Sequence, residues 1–334
     1  MLNVIVCNIW RTIFFIGAKM LKSTRSIVGG AILVSLSLVS TAASAIDLAL
    51  IESSVPDPAE QILTRLIGNG SGIVVVPGSA SFIGRAEPGN LAQSAFYSNF
   101  NLSDSTGLGP NVSIGDGVLL TTGVANFPLT NTVNDWSAQG LNIPFPPTGG
   151  NSLLSGLSGG STYNQNVISF DFVFSNSTSR SLQMNFVFGS EEFPTQSITD
   201  IFGFFVDGVN HAYFPNGDLI GNNASSNFVD NPLGSGNYKI EYNGFTKNML
   251  LTAPVDPSLS VHTAVIAIAN TNDSFYDSGV FISNIRASNK TDGGIGGPDS
   301  NSIAPVPVGS FGTIILTFFA LSLSYFFIRR KRFL

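Results

Sequence analysis

The sequence predicts an all-β protein whose main domain is a two-sheet, jelly-roll-like β-sandwich. Apolar and polar residues alternate in the centre of the chain, and turn-forming stretches rich in Gly, Asn, Ser and Thr separate the alternating runs. Alternation at period two places one face of each strand on a core, and two sheets packed face to face bury many such faces. The clearest alternating positions are Ile168, Phe170, Phe172, Phe174, Leu182, Met184, Phe186 and Phe188.

One short helix near the N-terminal end of the domain precedes the strands. Asp57 is a typical helix cap, Pro58 suits the first turn, and Glu60 completes a capping-box-like pattern. The turn-forming segment 68–70 ends the helix. The two central runs, joined by the polar connection 175–181, predict a hairpin. Further strands are predicted at 72–77, 80–86, 93–98, 117–122, 201–206, 237–243, 247–252, 261–269 and 279–287.

The N-terminal residues 1–45 have the pattern of a secretory signal peptide. A basic region precedes an apolar run over 27–39, and Ala43-Ser44-Ala45 provides a cleavage site of the A-x-A type. Met20 opens the same pattern by itself, so translation from Met20 is an alternative start. A retained N-terminal anchor is the alternative to cleavage.

The C-terminal end predicts a membrane anchor behind a flexible linker. Residues 289–310 are rich in Gly, Pro and Ser, which is typical of a tether. The uncharged segment 311–328 is long enough to cross a bilayer as a helix, since each residue adds about 1.5 Å. The basic tail 329–334 is expected to stay in the cytoplasm, so the main domain, 46–288, would lie outside the cell. A buried core helix is the alternative.

Composition narrows the functional classes. The single cysteine, Cys7, precedes the predicted cleavage site, so the mature chain would have no disulfide framework or thiolate metal site. All 21 acidic residues but only seven basic ones lie between Asp47 and Asp299, a formal charge of −14. Such a surface repels nucleic acid and anionic lipid, and it suits cation binding or solubility.

Several motifs in order carry a family resemblance. The centre is Phe188-Gly-Ser-Glu-Glu-Phe-Pro194 followed by the segment 199–208, and it is flanked by matching segments at 115–123, 242–246, 266–270 and 276–281. Over about residues 60–288 the sequence resembles the choice-of-anchor L domain family. The resemblance implies an extracellular, β-rich microbial domain found with various C-terminal anchors, in surface or adhesion proteins without a common activity.

The tail resembles a sorting signal of the PEP-CTERM type, which exosortases process. Pro305-Val-Pro307 stands where that signal has Pro-Glu-Pro, and an apolar span and an arginine cluster follow. The Leu-Pro-x-Thr-Gly box of a sortase signal does not occur. A plain transmembrane anchor needs no motif and is the alternative.

Five acidic residues form a candidate calcium site. Two adjacent glutamates follow a predicted strand, one aspartate opens the next strand, and two aspartates precede the strand at 279. Loop carboxylates at one end of a sandwich can converge on a hard cation, and without a cation they repel each other. The other interpretation is a solvated acidic rim. The candidate ligands are Glu191, Glu192, Asp200, Asp273 and Asp277.

No catalytic set is evident, so the chain is predicted not to be an enzyme. Ser158 lies in a G-x-S-x-G pattern, but a nucleophile elbow requires a strand before it and a helix after it, whereas a loop is expected here. Neither His211 nor His262 has a partner at zinc-ligand spacing.

The function expected from these features is adhesive or structural, in attachment, aggregation or an extracellular matrix. A carbohydrate- or peptide-binding module is one alternative, and a secreted sandwich-fold hydrolase is another. Expected partners are the membrane, a processing enzyme, and polysaccharide or a neighbouring cell. The aromatic residues that would stack on a sugar are Tyr97, Trp136, Phe145 and Tyr163.

Overall fold

A computed structural model of the chain describes residues 46–89, 91–133, 148–194, 200–221 and 225–296. The predicted signal peptide (1–45), membrane segment (311–328) and basic tail (329–334) lie outside these residues, as does most of the linker. Among the described residues, no helix is both long enough and apolar enough to span a membrane.

The described residues form antiparallel strands and few helical elements. The helices are α1 (Pro58–Leu66) and α2 (Ser152–Ser158), and Ser225–Asn227 form a single 3-10 turn. The strands are β1 (Asp47–Leu50), β2 (Ile73–Val75), β3 (Ser81–Ile83), β4 (Ser94–Leu102), β5 (Val112–Thr121), β6 (Thr162–Phe174), β7 (Ser181–Ser190), β8 (Ile201–Val206), β9 (Val209–Asn210), β10 (Phe228–Asp230), β11 (Gly244–Thr246), β12 (Met249–Pro254), β13 (His262–Thr271), β14 (Ser278–Ser288) and β15 (Gly294–Gly296).

These strands form two sheets, which confirms the predicted β-sandwich. Sheet A has the order β1-β4-β5-β14-β7-β11-β10, with β12 also paired to β7 and β15 paired to β12. Sheet B has the order β2-β6-β13-β8-β9, with β3 also paired to β6. Strands β11 and β12 together follow the same edge of β7, and β2 and β3 together follow one edge of β6.

The order of pairing is that of a jelly roll. Strand β5 pairs with β14, β6 with β13, β7 with β12, and β8 with β9, so the pairs are nested from the outside inward. Successive strands from β5 to β8 therefore alternate between the two sheets. This nesting is how a double-sheet jelly roll joins strands that are distant in sequence.

The main core lies between the sheets and uses the alternating residues that the sequence predicted. One apolar row comes from each central strand, and α1 closes the core with Ile62, Leu63 and Leu66. Phe174 is only partly buried at the edge of this core. The other predicted positions are fully buried in it, namely Ile168, Phe170, Phe172, Leu182, Met184, Phe186 and Phe188.

Parts of the outer faces of both sheets are also covered, and β7 and β8 are buried at every position. Helix α2 lies on sheet B, where Leu154 packs with Phe205 and Ala267. On sheet A, Phe281 packs edge-to-face against Tyr97, at 5.4 Å between ring centroids, in a second core. Burial on both faces explains why β8 has no polar side chain, whereas β6 and β7 alternate.

The predicted hairpin between β6 and β7 is wrong, because the two strands lie in different sheets. Alternation shows that one face of each strand is buried, but it is the same whether the strands pair edge to edge or face each other across a core. The connection between them turns around Asn176, whose side-chain Oδ1 accepts hydrogen bonds from the amides of Thr178 (3.1 Å) and Ser179 (3.0 Å).

The strand predicted at 237–243 is also absent from the described structure, although its alternation is real. Tyr238, Ile240 and Tyr242 are buried against sheet A. The side chain of Asn231 takes the place of a strand partner: Nδ2 donates to the carbonyls of Ile240 (3.1 Å) and Tyr242 (2.9 Å), and Oδ1 accepts from the amide of Tyr238 (3.1 Å).

The N-terminal helix is confirmed, but its predicted capping is not. Asp57 has a left-handed backbone (φ 43°), and its side chain makes no capping hydrogen bond. The prediction of one helix also missed α2, whose N-cap is Asn151; the side-chain Oδ1 of Asn151 accepts from the amide of Leu154 at 3.1 Å. The glycines of this segment hid the short helix, because glycine is a poor helix former.

Replacement of Asn231 by Ala tests the support of the 237–243 segment. We expect the free energy of unfolding of the full chain to fall by about 1–3 kcal/mol, because two buried carbonyls and one amide lose their partner. Urea unfolding followed by fluorescence measures the change. Asn69→Ala, in an exposed turn, is the control and should change stability by less than about 0.5 kcal/mol. Equal stability of both variants would contradict the role of Asn231.

Candidate functional site

At one end of the sandwich, the rows of side chains that face between the sheets change from apolar to polar. In β7 the row continues from Phe188 to Ser190 and on to Glu192, and in β13 it continues from Ile268 to Asn270. All of these polar residues are buried. We call the set the polar end; its members are Ser94, Thr122, Asn166, Ser190, Glu192, Asp200, Asn270 and Ser278.

Hydrogen bonds across the polar end join the two sheets. Asn166 lies in sheet B, and its three acceptors lie in sheet A or directly before it. Its side-chain Nδ2 donates to the carbonyl of Gln93 (3.0 Å), to the hydroxyl of Ser94 (2.9 Å) and to the carbonyl of Thr121 (3.1 Å). A second link runs from the Thr122 hydroxyl to Oδ2 of Asp200, at 3.3 Å. The polar end therefore fastens the sheets where the apolar core stops.

The structure brings the predicted acidic residues to this end, and Glu191 has the most clearly structural position. Its backbone amide donates to the carbonyl of Asp277 (3.0 Å), and its side-chain Oε2 accepts from the amide of Asp277 (3.1 Å). The carbonyl of Glu191 also accepts from the side chain of Asn243. Glu191 thus holds the segment before β14 against the end of β7.

Glu192 and Asp200 are the most deeply placed acids of the cluster. They are 2% and 0% exposed, and Oε2 of Glu192 accepts from the amide of Asp200 at 3.1 Å. Residues 191–194 form the turn that the sequence required for two adjacent glutamates to be directed inward. The hydrogen bond ties the end of β7 to the start of β8.

Asp273 is the outermost of the five acids. It is only partly buried, and its Oδ1 accepts from the amide of Phe275 at 3.1 Å. Among the described residues, no three carboxylate, imidazole or thiolate groups already stand close enough to hold a metal ion. The calcium site therefore stays a prediction.

Burial dominates the electrostatics of the acids. Desolvation raises the pKa of Glu192 to about 8; the hydrogen bond from the Asp200 amide opposes this rise, and the charges of Asp273 and Asp277 add to it. Desolvation also raises the pKa of Asp200 well above its ordinary value, helped by Glu192. The carboxyls of Glu192, Asp200, Asp273 and Asp277 are therefore linked by electrostatic repulsion.

A cationic residue stands near the cluster. The charge of Asp277 acts on the buried guanidinium of Arg85, although burial lowers the pKa of Arg85 overall. The Nη2 atom of Arg85 also donates to the carbonyl of Gly123 at 2.6 Å. One guanidinium near Asp277 carries a single positive charge, so full ionisation of the cluster would leave excess negative charge.

Asn270 at the polar end was missed as a site residue, whereas Asp200 beside it was among the predicted ligands. Within the described part of the chain, Oδ1 of Asp200 and both amide atoms of the Asn270 side chain are buried without a hydrogen-bond partner. Following the alternating rows past their last apolar residue would have found Asn270, as well as Thr122 and Ser278. A buried polar group without a partner costs about 1–3 kcal/mol, so these atoms mark an unusual place in the fold.

The other residues singled out from the sequence have structural positions. Ser158 ends α2 and is followed by β6, so its segment is helical rather than the expected loop and has the reverse order of a nucleophile elbow. His262 lies 2.9 Å from Oδ2 of Asp207, with both side chains buried.

Tyr97 does not belong to an aromatic platform in a loop. It is a buried residue of β4, and its hydroxyl donates to the carbonyl of Ile282 at 3.0 Å. Tyr163 is 39% exposed in β6. Trp136 and Phe145 lie outside the described residues.

The raised pKa of Glu192 predicts a pH dependence of stability when divalent cations are removed by a chelator. The unfolded chain loses this proton near the ordinary pKa of 4.5, whereas the folded chain keeps it up to about 8. Within that window the folded state binds more protons, so the stabilising effect is complete below it and is lost as the pH rises through it.

We therefore expect the melting temperature in chelator to fall between about pH 5 and about pH 8. The contribution of Glu192 to the free energy of unfolding should decrease by on the order of 1 kcal/mol per pH unit over this range. Glu192→Gln should flatten the decline, because Gln does not ionise, and Glu60→Gln on the exposed face of α1 should not. An unchanged decline in Glu192→Gln would show that Glu192 is ionised in the folded protein throughout.

Comparison with known proteins identifies the family. The model of the choice-of-anchor L domain matches residues 86–286, which includes the central motif and every described strand from β4 to β13. No curated protein and no solved structure matches the chain. A match to this family indicates a bacterial protein associated with the cell surface. Because the match covers more than half of the 334 residues, the chain belongs to the choice-of-anchor L domain family.

Proposed function

We propose that this protein is an adhesive or structural component of the bacterial cell surface, exported and held at the envelope by its C-terminal segment. Family membership is the observation that carries the proposal. The terminal sequences support it, because an export signal at 1–45 and an apolar segment with a basic tail would leave the jelly roll outside the cell. Polysaccharide or a neighbouring cell surface is the proposed partner.

The chemistry of the described residues supports a role without catalysis. A glycosidase needs two carboxyls across an open cleft, whereas Glu192 and Asp200 are buried and bonded into the strands. His262 packs against Phe172 and Phe174, with ring centroids 5.3 and 5.7 Å away, in addition to its contact with Asp207. We therefore propose that the protein is not an enzyme.

Anchoring by the tail is part of the proposal. The apolar segment 311–328 can act as a plain transmembrane helix, or an exosortase-type enzyme can process it. Both routes keep the acidic domain at the surface, and both depend on residues after 310. The protein is therefore proposed to become attached at the surface only when it is synthesised with these residues.

The test compares a strain that lacks the gene with strains that express the full chain or a chain ending at Ser310. We expect loss of attachment and matrix retention in the deletion strain and recovery with the full chain. The shortened chain should appear in the medium and should not restore attachment. Ser158→Ala is the control variant and should restore attachment fully. Unchanged attachment and matrix retention in the deletion strain would reject the proposal.

A further inference from the structure

The polar end contains buried oxygen and nitrogen atoms that the described protein does not satisfy. Asp200 and Asn270 are both 0% exposed, and Oδ1 of Asp200 and both amide atoms of Asn270 have no hydrogen-bond partner within the described residues. Water or protein normally satisfies such atoms, so a group with this arrangement requires an explanation. Asn270 is neutral, so its unpartnered atoms are an observation separate from the negative charge of the acidic cluster.

The strand register places these two residues side by side. The register ends with Ala269 of β13 opposite Ile201 of β8, and its extension by one residue brings Asn270 opposite Asp200, which directly precedes β8. Residues directly opposite each other on antiparallel strands share a face, with Cβ atoms about 5 Å apart. The inward rows contain Ile268 and Phe202, and Asn270 and Asp200 continue those rows into the space between the sheets.

Glu192 and Asp277 reach the same space from sheet A. Glu192 is bonded to the amide of Asp200 at 3.1 Å, and the charges of Glu192 and Asp277 both act on Asp200. The hydroxyls of Thr122, 3.3 Å from Oδ2, and of Ser278 lie by the Asp200 carboxyl and oppose the rise of its pKa, whereas Oδ1 has no hydrogen-bond partner of good geometry among the described residues. Glu192 and Asp277 are thus close enough for their charges to act on Asp200, and the extended register brings the Asn270 amide to the same end of the sandwich.

We propose that the polar end binds a calcium ion between the two sheets, with carboxylate oxygens from Glu192, Asp200 and Asp277 and the amide oxygen of Asn270 as ligands. Calcium takes six to eight oxygen ligands in flexible geometry, and carboxylates together with amide and backbone oxygens are its usual ligands. The ion would satisfy Oδ1 of Asp200 and the Asn270 oxygen together, and it would neutralise carboxyls that otherwise repel one another.

This ligand set revises the one predicted from the sequence. Glu191 becomes a positioning residue, because its Oε2 accepts from the amide of Asp277 and so fixes the backbone of that ligand. Asp273 is partly exposed and bonded to the amide of Phe275, so it contributes charge rather than coordination. Asn270 is added. Among the described residues no three of these groups stand at metal-binding distances, so calcium binding requires the ligands to move closer together.

The test uses the full chain in mild detergent, freed of divalent cations with EGTA and then titrated with calcium chloride. We expect about one ion per chain by elemental analysis. The melting temperature should rise by about 5–10 °C at a free calcium concentration roughly 100-fold above the dissociation constant, because the ion binds only the folded state.

Two variants locate the ion. Asp200→Asn and Asn270→Ala should each weaken calcium binding at least about tenfold and reduce the melting shift. Asp200→Asn keeps nearly the same shape and avoids the cost of burying or protonating a carboxyl on folding, so in EGTA it should melt at or above the wild-type temperature, which separates loss of binding from loss of folding. Glu60→Gln should bind like the wild type. Absence of bound calcium in the wild type, or wild-type affinity in both variants, would overturn the proposal.

Discussion

Each central strand must present an apolar side chain at every second position, because apolar side chains from both sheets fill the space between them and offer a polar group no partner. Strand β7 meets this constraint on its inward face with Leu182, Met184, Phe186 and Phe188, whereas its outward face includes Gln183 and Asn185. It pairs with β14 on one edge and with β11 and β12 on the other, and all of its residues are buried. The main core and the second core on sheet A therefore meet through β7, and the nested jelly-roll pairs keep the apolar rows in register.

The same constraint determines where charge can enter the fold. At the polar end the alternating side chains still face the space between the sheets, so each polar one either forms a hydrogen bond there or stays unsatisfied. Asn166 donates hydrogen bonds to three acceptors across the sheets, and Glu191 is hydrogen-bonded to both the amide and the carbonyl of Asp277. Burial disfavours the ionised forms of Glu192 and Asp200, so the pKa of each carboxyl rises.

Alternation predicted the fold class, and most strand positions followed from it, because burial of one face leaves a direct trace in the sequence. Pairing was harder to predict, as β6 and β7 show: strands that face each other across a core alternate in the same way as strands that share hydrogen bonds. The segment 237–243 was misassigned since the side chain of Asn231 replaces a backbone partner there. The acidic cluster could be predicted from loop positions, and Asn270 could have been found by following the β13 row past Ile268, but its nearness to Asp200 depends on the pairing of β8 with β13.

The family match and the folded unit have different boundaries. The match begins at residue 86, after β1, α1, β2 and β3, and it ends at residue 286, before β15. A fragment trimmed to those limits would leave the backbone of β6 without its edge partners and would remove Ile62, Leu63 and Leu66 from the core. Such unpaired edges favour aggregation, so recombinant fragments of this domain should keep the flanking segments from residue 46 through residue 296.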